Sequence, residues 1–131
     1  MEAMLATGVD LFLDVHADEQ NPYVFAAGCE GNPGYSERID ELEDRFMDSL
    51  VSLDTDFQRE YGYDRDDPGE GDLSAAANWV GEALDCLSLT LEMPFKDNAK
   101  LPDGLSGWNG ERSKRLGAAM LNPILQHVQG S

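Results

Sequence analysis

The sequence predicts an α/β fold, and two observations carry that expectation. Two segments, ending at His16 and Glu92, carry apolar residues at every second position, the period of a strand. Between and after them lie segments in which apolar residues recur every three or four positions, the period of a helix packed on one face. Strands separated by helices form a layered structure, with functional groups gathered just beyond the strand ends.

Residues 9–16 (VDLFLDVH) read as the first strand, with Leu11, Leu13 and Val15 on one face and Phe12, Asp14 and His16 on the other. Residues 18–22 read as a turn. A short strand over 23–27 follows, closed by the glycine- and proline-bearing loop 28–34. Ser36 is a natural N-cap, and Ile39, Leu42, Phe46, Leu50 and Leu53 then form the stripe of an amphipathic helix with acids between them. The acidic, glycine-bearing stretch 63–72 reads as an exposed loop. A short helix over 74–83 carries Ala76, Trp79, Val80 and Ala83. In the strand 86–92, Leu87, Leu89 and Leu91 face one way and Ser88, Thr90 and Glu92 the other. After a connection rich in proline and glycine, a final helix begins near Asn109. Pro123 is expected to kink or interrupt it, lacking an amide donor and clashing with the preceding turn.

Composition narrows the function. The 131 residues fall within the usual size of one domain, and 41% hydrophobic content without low-complexity tracts predicts a globular chain. Twenty-six acids against nine bases, a net charge of -17, repel phosphate backbones, and the bases do not cluster beyond Lys114-Arg115 with Arg112 nearby. Nucleic-acid binding is therefore not expected, and the acidic excess reads as a solvated surface. No apolar run approaches the roughly 18 residues of a membrane span, so no membrane partner is expected. Cys29 and Cys86 stand in no Cys-x-x-Cys pattern and read as free thiols of a reducing, cytoplasmic environment.

There are two histidines. His127 reads as a surface residue among Gln126 and Gln129. His16 ends a strand and precedes Ala17-Asp18-Glu19, at the edge of a polar pocket. A His-x-x-Glu spacing of its own could make a local metal pair, but a catalytic zinc takes three protein ligands and keeps a fourth position open. No complete zinc site is expected within this chain. The loop 64–72 does not fit a calcium loop, having Pro68 at a ligand position and Ala75 where the bidentate glutamate belongs. No Gly-x-Ser-x-Gly elbow, P-loop or Gly-x-Gly-x-x-Gly occurs.

The wording of several blocks adds to this. VDLFLDVHADE (9–19), VFAAGCEGNP (24–33), Phe57-Gln58, Gly62-Tyr63, Asn78-Trp79-Val80 and TLEMPFKDNA (90–99), in that order, resemble the zinc carboxypeptidases of the carboxypeptidase A-like family, closest to bacterial members of its cytosolic branch. The resemblance spans about residues 3–121. It implies that residues 1–131 are the C-terminal half of such a catalytic domain, part of a mixed β-sheet flanked by helices. It implies a Zn2+ cofactor with His16 as one metal ligand, and Glu92 as the catalytic general base. Peptide or protein C-termini are the implied substrates.

The family's first zinc motif, His-Pro-Gly-Glu in this branch, is absent from the chain, as are the arginines that hold the substrate's terminal carboxylate. Ala17 stands where the branch usually has glycine. The resemblance therefore implies a missing N-terminal half as partner, with self-association as a further expectation. A non-catalytic binding or assembly domain on the same fold is the alternative. The tyrosine found about twenty positions before the glutamate in pancreatic-type enzymes has no counterpart, Glu70 falling near that position, and Tyr61 and Tyr63 read as packing or loop residues. Asp14 and Asp18 either orient the imidazole or make local turn bonds.

Overall fold

A computed structural model describes residues 2–130. The elements, in chain order, are α1 (Glu2–Thr7), β1 (Leu11–Asp18), β2 (Phe25–Ala27), α2 (Glu37–Leu53), α3 (Ala76–Leu84), β3 (Leu87–Pro94) and α4 (Gly110–Gly130). The three strands form one mixed sheet in the order β1-β3-β2, with β1 parallel and β2 antiparallel to the central β3. Parallel neighbours need a crossover, and the chain between β1 and β3 supplies it with α2 and α3. The α/β expectation holds, as does the mixed sheet flanked by helices.

Each face of β3 has its own cover. Leu87, Leu89 and Leu91 point into the core, where Phe46, Met47 and Leu50 of α2 and Leu116 and Met120 of α4 meet them. On the opposite face the Ser88 hydroxyl donates to the carbonyl of Ala77 in α3, at 2.6 Å. β3 is consequently buried along nearly its whole length. α2 begins as its sequence suggests, with Ser36 Oγ accepting the Ile39 amide. Among the described residues no helix is long and apolar enough to cross a membrane.

Four expectations are corrected. β1 starts and ends two residues later than the 9–16 reading and β3 ends two residues later than the 86–92 reading, so His16 and Glu92 each lie two positions before a strand end instead of at it. Val15 is 54% exposed although it shares the alternation of Leu11 and Leu13, because β1 is an outer strand and the helices cover only its first half. α4 runs without interruption through Pro123, whose ring is fully buried; burial offsets the missing hydrogen bond, a defect of about 3 kcal/mol in an exposed helix. His127 is buried instead of exposed, with Nε2 2.9 Å from the Asp10 carbonyl oxygen. It belongs to the buried stripe Arg112, Leu116, Met120, Pro123, His127, whose spacing of four, four, three and four keeps one helix face toward the sheet.

Candidate functional site

The parallel register of β1 and β3 sets His16 directly beside Glu92, with Asp14 beside Thr90 one pleat earlier. Because side chains alternate along a strand, these four project from the same face of the sheet, the face opposite the leucine core. Both residues singled out from the sequence thus meet at one place. They line a cavity of about 570 Å3 together with Asp14, Tyr63, Glu30 and α3 residues of the Ala76–Leu84 helix.

The two differ in solvation. The His16 side chain is half exposed, and its Nε2 lies 2.9 Å from Asp14 Oδ1. That hydrogen bond raises the imidazole pKa, with the Asp14 and Glu92 charges adding to it. When neutral, a ring that gives its Nε2 proton to Asp14 keeps the lone pair on Nδ1, the atom left to bind a ligand. Of the two open readings of Asp14, the structure shows the imidazole contact. Asp18 instead makes the turn bonds, accepting the amides of Gln20 and Asn21 at 2.7 and 3.1 Å. Burial opposes its ionisation, but those bonds, with contacts from the Asn21 side chain and the Tyr63 hydroxyl, prevail and bring its pKa down to about 2.

Glu92 is 5% exposed. Burial raises its pKa, and a hydrogen bond from Tyr63 together with the charge of His16 opposes the rise. The Tyr63 hydroxyl donates to Glu92 Oε1 at 2.9 Å, while Glu92 Oε2 is buried and has no hydrogen-bond partner among the described residues. A buried carboxylate oxygen with an unpaired acceptor site is costly, and this one faces the cavity that His16 lines.

Tyr63 is the site residue that periodicity missed, since it sits in an irregular loop 29 positions before Glu92. Its signals in the sequence are the preceding glycine and a strand phenylalanine. Gly62 lets the chain pass against the Phe25 ring, where an added Cβ would come within 2.7 Å of the ring. Phe25 is the β2 partner of Glu92, and its ring meets Tyr63 edge-on at 4.9 Å. The Tyr63 hydroxyl is thereby fixed over the carboxylate. Replacing Tyr63 by Phe removes a bond that favours the ionised form, so the Glu92 pKa is expected to rise further. Carbon-13 NMR of the Glu92 carboxyl in the wild type and the Tyr63→Phe variant would show it; an unchanged midpoint would count against the contact.

Among the described residues no three His, Cys, Asp or Glu side chains come together to hold a metal ion. His16 offers one imidazole of the kind that ligates zinc, with the Glu92 carboxylate beside it, short of the three protein ligands a catalytic zinc takes.

No protein-family model matches the chain. An uncharacterized protein of Zymomonas mobilis is 48% identical to it over 122 residues, an alignment that takes in 93% of this chain and 32% of that protein. The metallo-carboxypeptidase from Pseudomonas aeruginosa, solved in complex with (2-guanidinoethylmercapto)succinic acid, is 50% identical with a TM-score of 0.93, over 98% of this chain and 34% of that one. The metallo-carboxypeptidase from Burkholderia cenocepacia is 48% identical with a TM-score of 0.91, over 99% of this chain and 34% of the other. The chain spans about a third of the length of the relatives it matches. In sequence and in fold it is similar to a C-terminal part of the metallo-carboxypeptidases.

Proposed function

We propose that this chain forms part of the active site of a zinc-dependent carboxypeptidase that hydrolyses C-terminal peptide bonds, with His16 as one zinc ligand and Glu92 as general base. The observation that carries the reading is the register pair His16 and Glu92, in which a half-exposed imidazole stands beside a buried carboxylate with one oxygen unpartnered among the described residues. A bound zinc supplies Lewis acidity, polarising the scissile carbonyl and acidifying water. Glu92 takes the proton of the attacking water and returns it to the departing amine. Burial raises its pKa, which makes the carboxylate a stronger base toward water than an exposed one and its acid form no less able to protonate the departing amine. Tyr63 holds the carboxylate in place during the transfer, and Asp14 holds the ring of His16.

The other zinc ligands and the group that binds the substrate's terminal carboxylate belong to the rest of the enzyme. Two features support such a partner: the outer edge of β1 pairs with no strand among the described residues, and Val15 lies open on that strand. An open strand edge is a docking surface. Peptide or protein C-termini are the substrates on this reading, and the cytoplasm the compartment, in keeping with two buried free thiols.

The experiment is a pair of measurements. Calorimetric titration of the chain alone is expected to show at most weak zinc binding, because one imidazole with nearby carboxylates does not close a catalytic site. Tight, stoichiometric binding abolished by His16→Ala would place all ligands within the chain and overturn the reading. The longer protein is expected to release C-terminal residues from peptides with a free carboxylate and to stop on chelation. Chelator-insensitive activity would exclude the zinc assignment.

A further inference from the structure

Glu43 is a carboxylate where α2 should carry an apolar side chain. It lies on the buried stripe with Ile39, Phe46, Met47 and Leu50, and is 5% exposed. Its Oε1 accepts the Cys29 amide at 2.9 Å. Its Oε2 lies 3.0 Å from the Tyr35 hydroxyl, which also lies 2.8 Å from Asp40 Oδ1. A phenol has one proton to give. With both carboxylates ionised, one of these contacts would set lone pairs against each other. All three groups are satisfied when Glu43 is protonated and donates to Tyr35, and Tyr35 donates to the Asp40 carboxylate.

The charges around Glu43 favour the same arrangement. From the loop facing it come Cys29, Glu30 and Tyr35, and from its own helix Asp40 and Asp44, so its neighbours are neutral or negative. The nearby cations are engaged: Arg59 pairs with Asp44 and Asp48, and Arg65 reaches to 3.9 Å from Asp40. No ion pair to Glu43 exists among the described residues, and a buried acid without a cation takes up a proton.

The segment that Glu43 holds is a wall of the candidate site. Ala27, Gly28 and Glu30 line the cavity that contains His16 and Glu92. Gly28 leaves room for this contact, because a Cβ there would come within 2.2 Å of the Glu43 carboxyl and push that side chain away. On its other side the segment is tied to the sheet and α3, by the Cys29 thiol to the Ser88 carbonyl at 3.2 Å and by Asn32 Nδ2 to the Asn78 carbonyl at 2.9 Å.

We propose that Glu43 is a positioning residue of this site: its neutral carboxyl latches residues 28–30 to α2 and so sets the wall that faces His16 and Glu92. The inference takes the site from the proposed function but not its chemistry. Burial, with Glu30 and Asp40 adding, brings the Glu43 pKa up to about 7, against the bond from the Cys29 amide. The latch therefore ionises within the neutral range. Because the folded pKa lies above the unfolded one, the latch stabilises the fold fully below about pH 4.5, and that contribution is lost as the pH rises through about 7.

The test is an NMR titration of the labelled chain across neutrality. The Glu43 carboxyl carbon and the Cys29 amide are expected to shift together with a midpoint near 7, accompanied by the amides of Ala27 and Glu30. Glu43→Gln, a neutral isostere of the protonated form, is expected to keep the wall in its low-pH position and abolish the titration, whereas Glu43→Ala displaces it. A midpoint in the ordinary carboxylate range, wall amides that do not follow the carboxyl carbon, or the same wall titration in Glu43→Gln would each overturn the proposal. Should Glu43→Gln not fold, the wild-type carboxyl and amide curves decide alone. An absence of peptidase activity in the longer protein would count against the carboxypeptidase reading and leave this titration unaffected.

Discussion

In the complete enzyme, Glu92→Gln is expected to lower kcat by at least the ~10²–10⁴-fold typical of lost general acid–base catalysis, with zinc content and folding near wild type. Glutamine keeps the length and shape of the side chain, and its Oε1 can still accept the Tyr63 hydroxyl that Glu92 accepts at 2.9 Å. What it lacks is a lone pair basic enough to take a proton from water. Folding should be insensitive, because the buried carboxylate carries an unpartnered oxygen and a pKa raised by burial, so its charge is no asset to the native state. Zinc content should hold because Glu92 is assigned a proton and not a ligand bond. His16→Ala should behave differently, losing metal and activity together. Steady-state kinetics on peptides with a free C-terminus, beside metal analysis of both variants, makes the comparison. A Glu92→Gln enzyme that keeps most of its activity would remove the assignment of Glu92, and much of the functional reading with it.

Arg112→Ala is expected to destabilise the chain by ~3–5 kcal/mol, the cost of breaking a buried ion pair from one side. Arg112 is 5% exposed and grips Asp56, 3% exposed, through both Nε and Nη2. The same guanidinium donates to Asp97 Oδ1 at 3.1 Å and to the carbonyl of Leu101 at 2.7 Å, and lies 5.1 Å from the Trp108 ring centroid. Asp56 is further tied to Asn98, fully buried, whose Nδ2 donates to its carbonyl and its carboxylate. One side chain of α4 thus fastens the loop after α2 and the loop after β3, the latter being the segment that leaves the strand of Glu92. Alanine would leave the Asp56 charge buried without a cation. The control is Arg59→Ala, which removes partly solvated pairs with Asp44 and Asp48 and should cost no more than about 1 kcal/mol. Urea unfolding of the two variants should separate them clearly. Equal losses would mean that water reaches the Arg112 network.

Local pattern was enough for the elements. The alternation Leu87, Leu89, Leu91 against Ser88, Thr90, Glu92 defines a strand with a polar face, and the stripe from Ile39 to Leu50 behind the Ser36 cap defines α2. Both depend on neighbours two to four positions apart, which a sequence displays directly. Even His127 was legible in principle, because it continues the buried spacing of Leu116, Met120 and Pro123.

What periodicity cannot carry is register and loop closure. That His16 faces Glu92, and not a residue one pleat away, is decided by how β1 slides against β3. That Tyr63 meets Glu92 depends on an irregular loop folding back over the sheet, and that Arg112 finds Asp56 depends on a helix 56 positions further along the chain. Glu43 is the plainest case. By residue type it belongs on the solvent face of an acidic helix, and it is buried because Cys29, 14 positions earlier, and Tyr35, 8 positions earlier, give it hydrogen-bond partners from the loop packed over it. The sequence by itself determined which segments are strands and helices, because their causes are local. The tertiary structure alone decided which charged and polar side chains share a buried space, because a polar group's burial depends on partners that distant parts of the chain deliver.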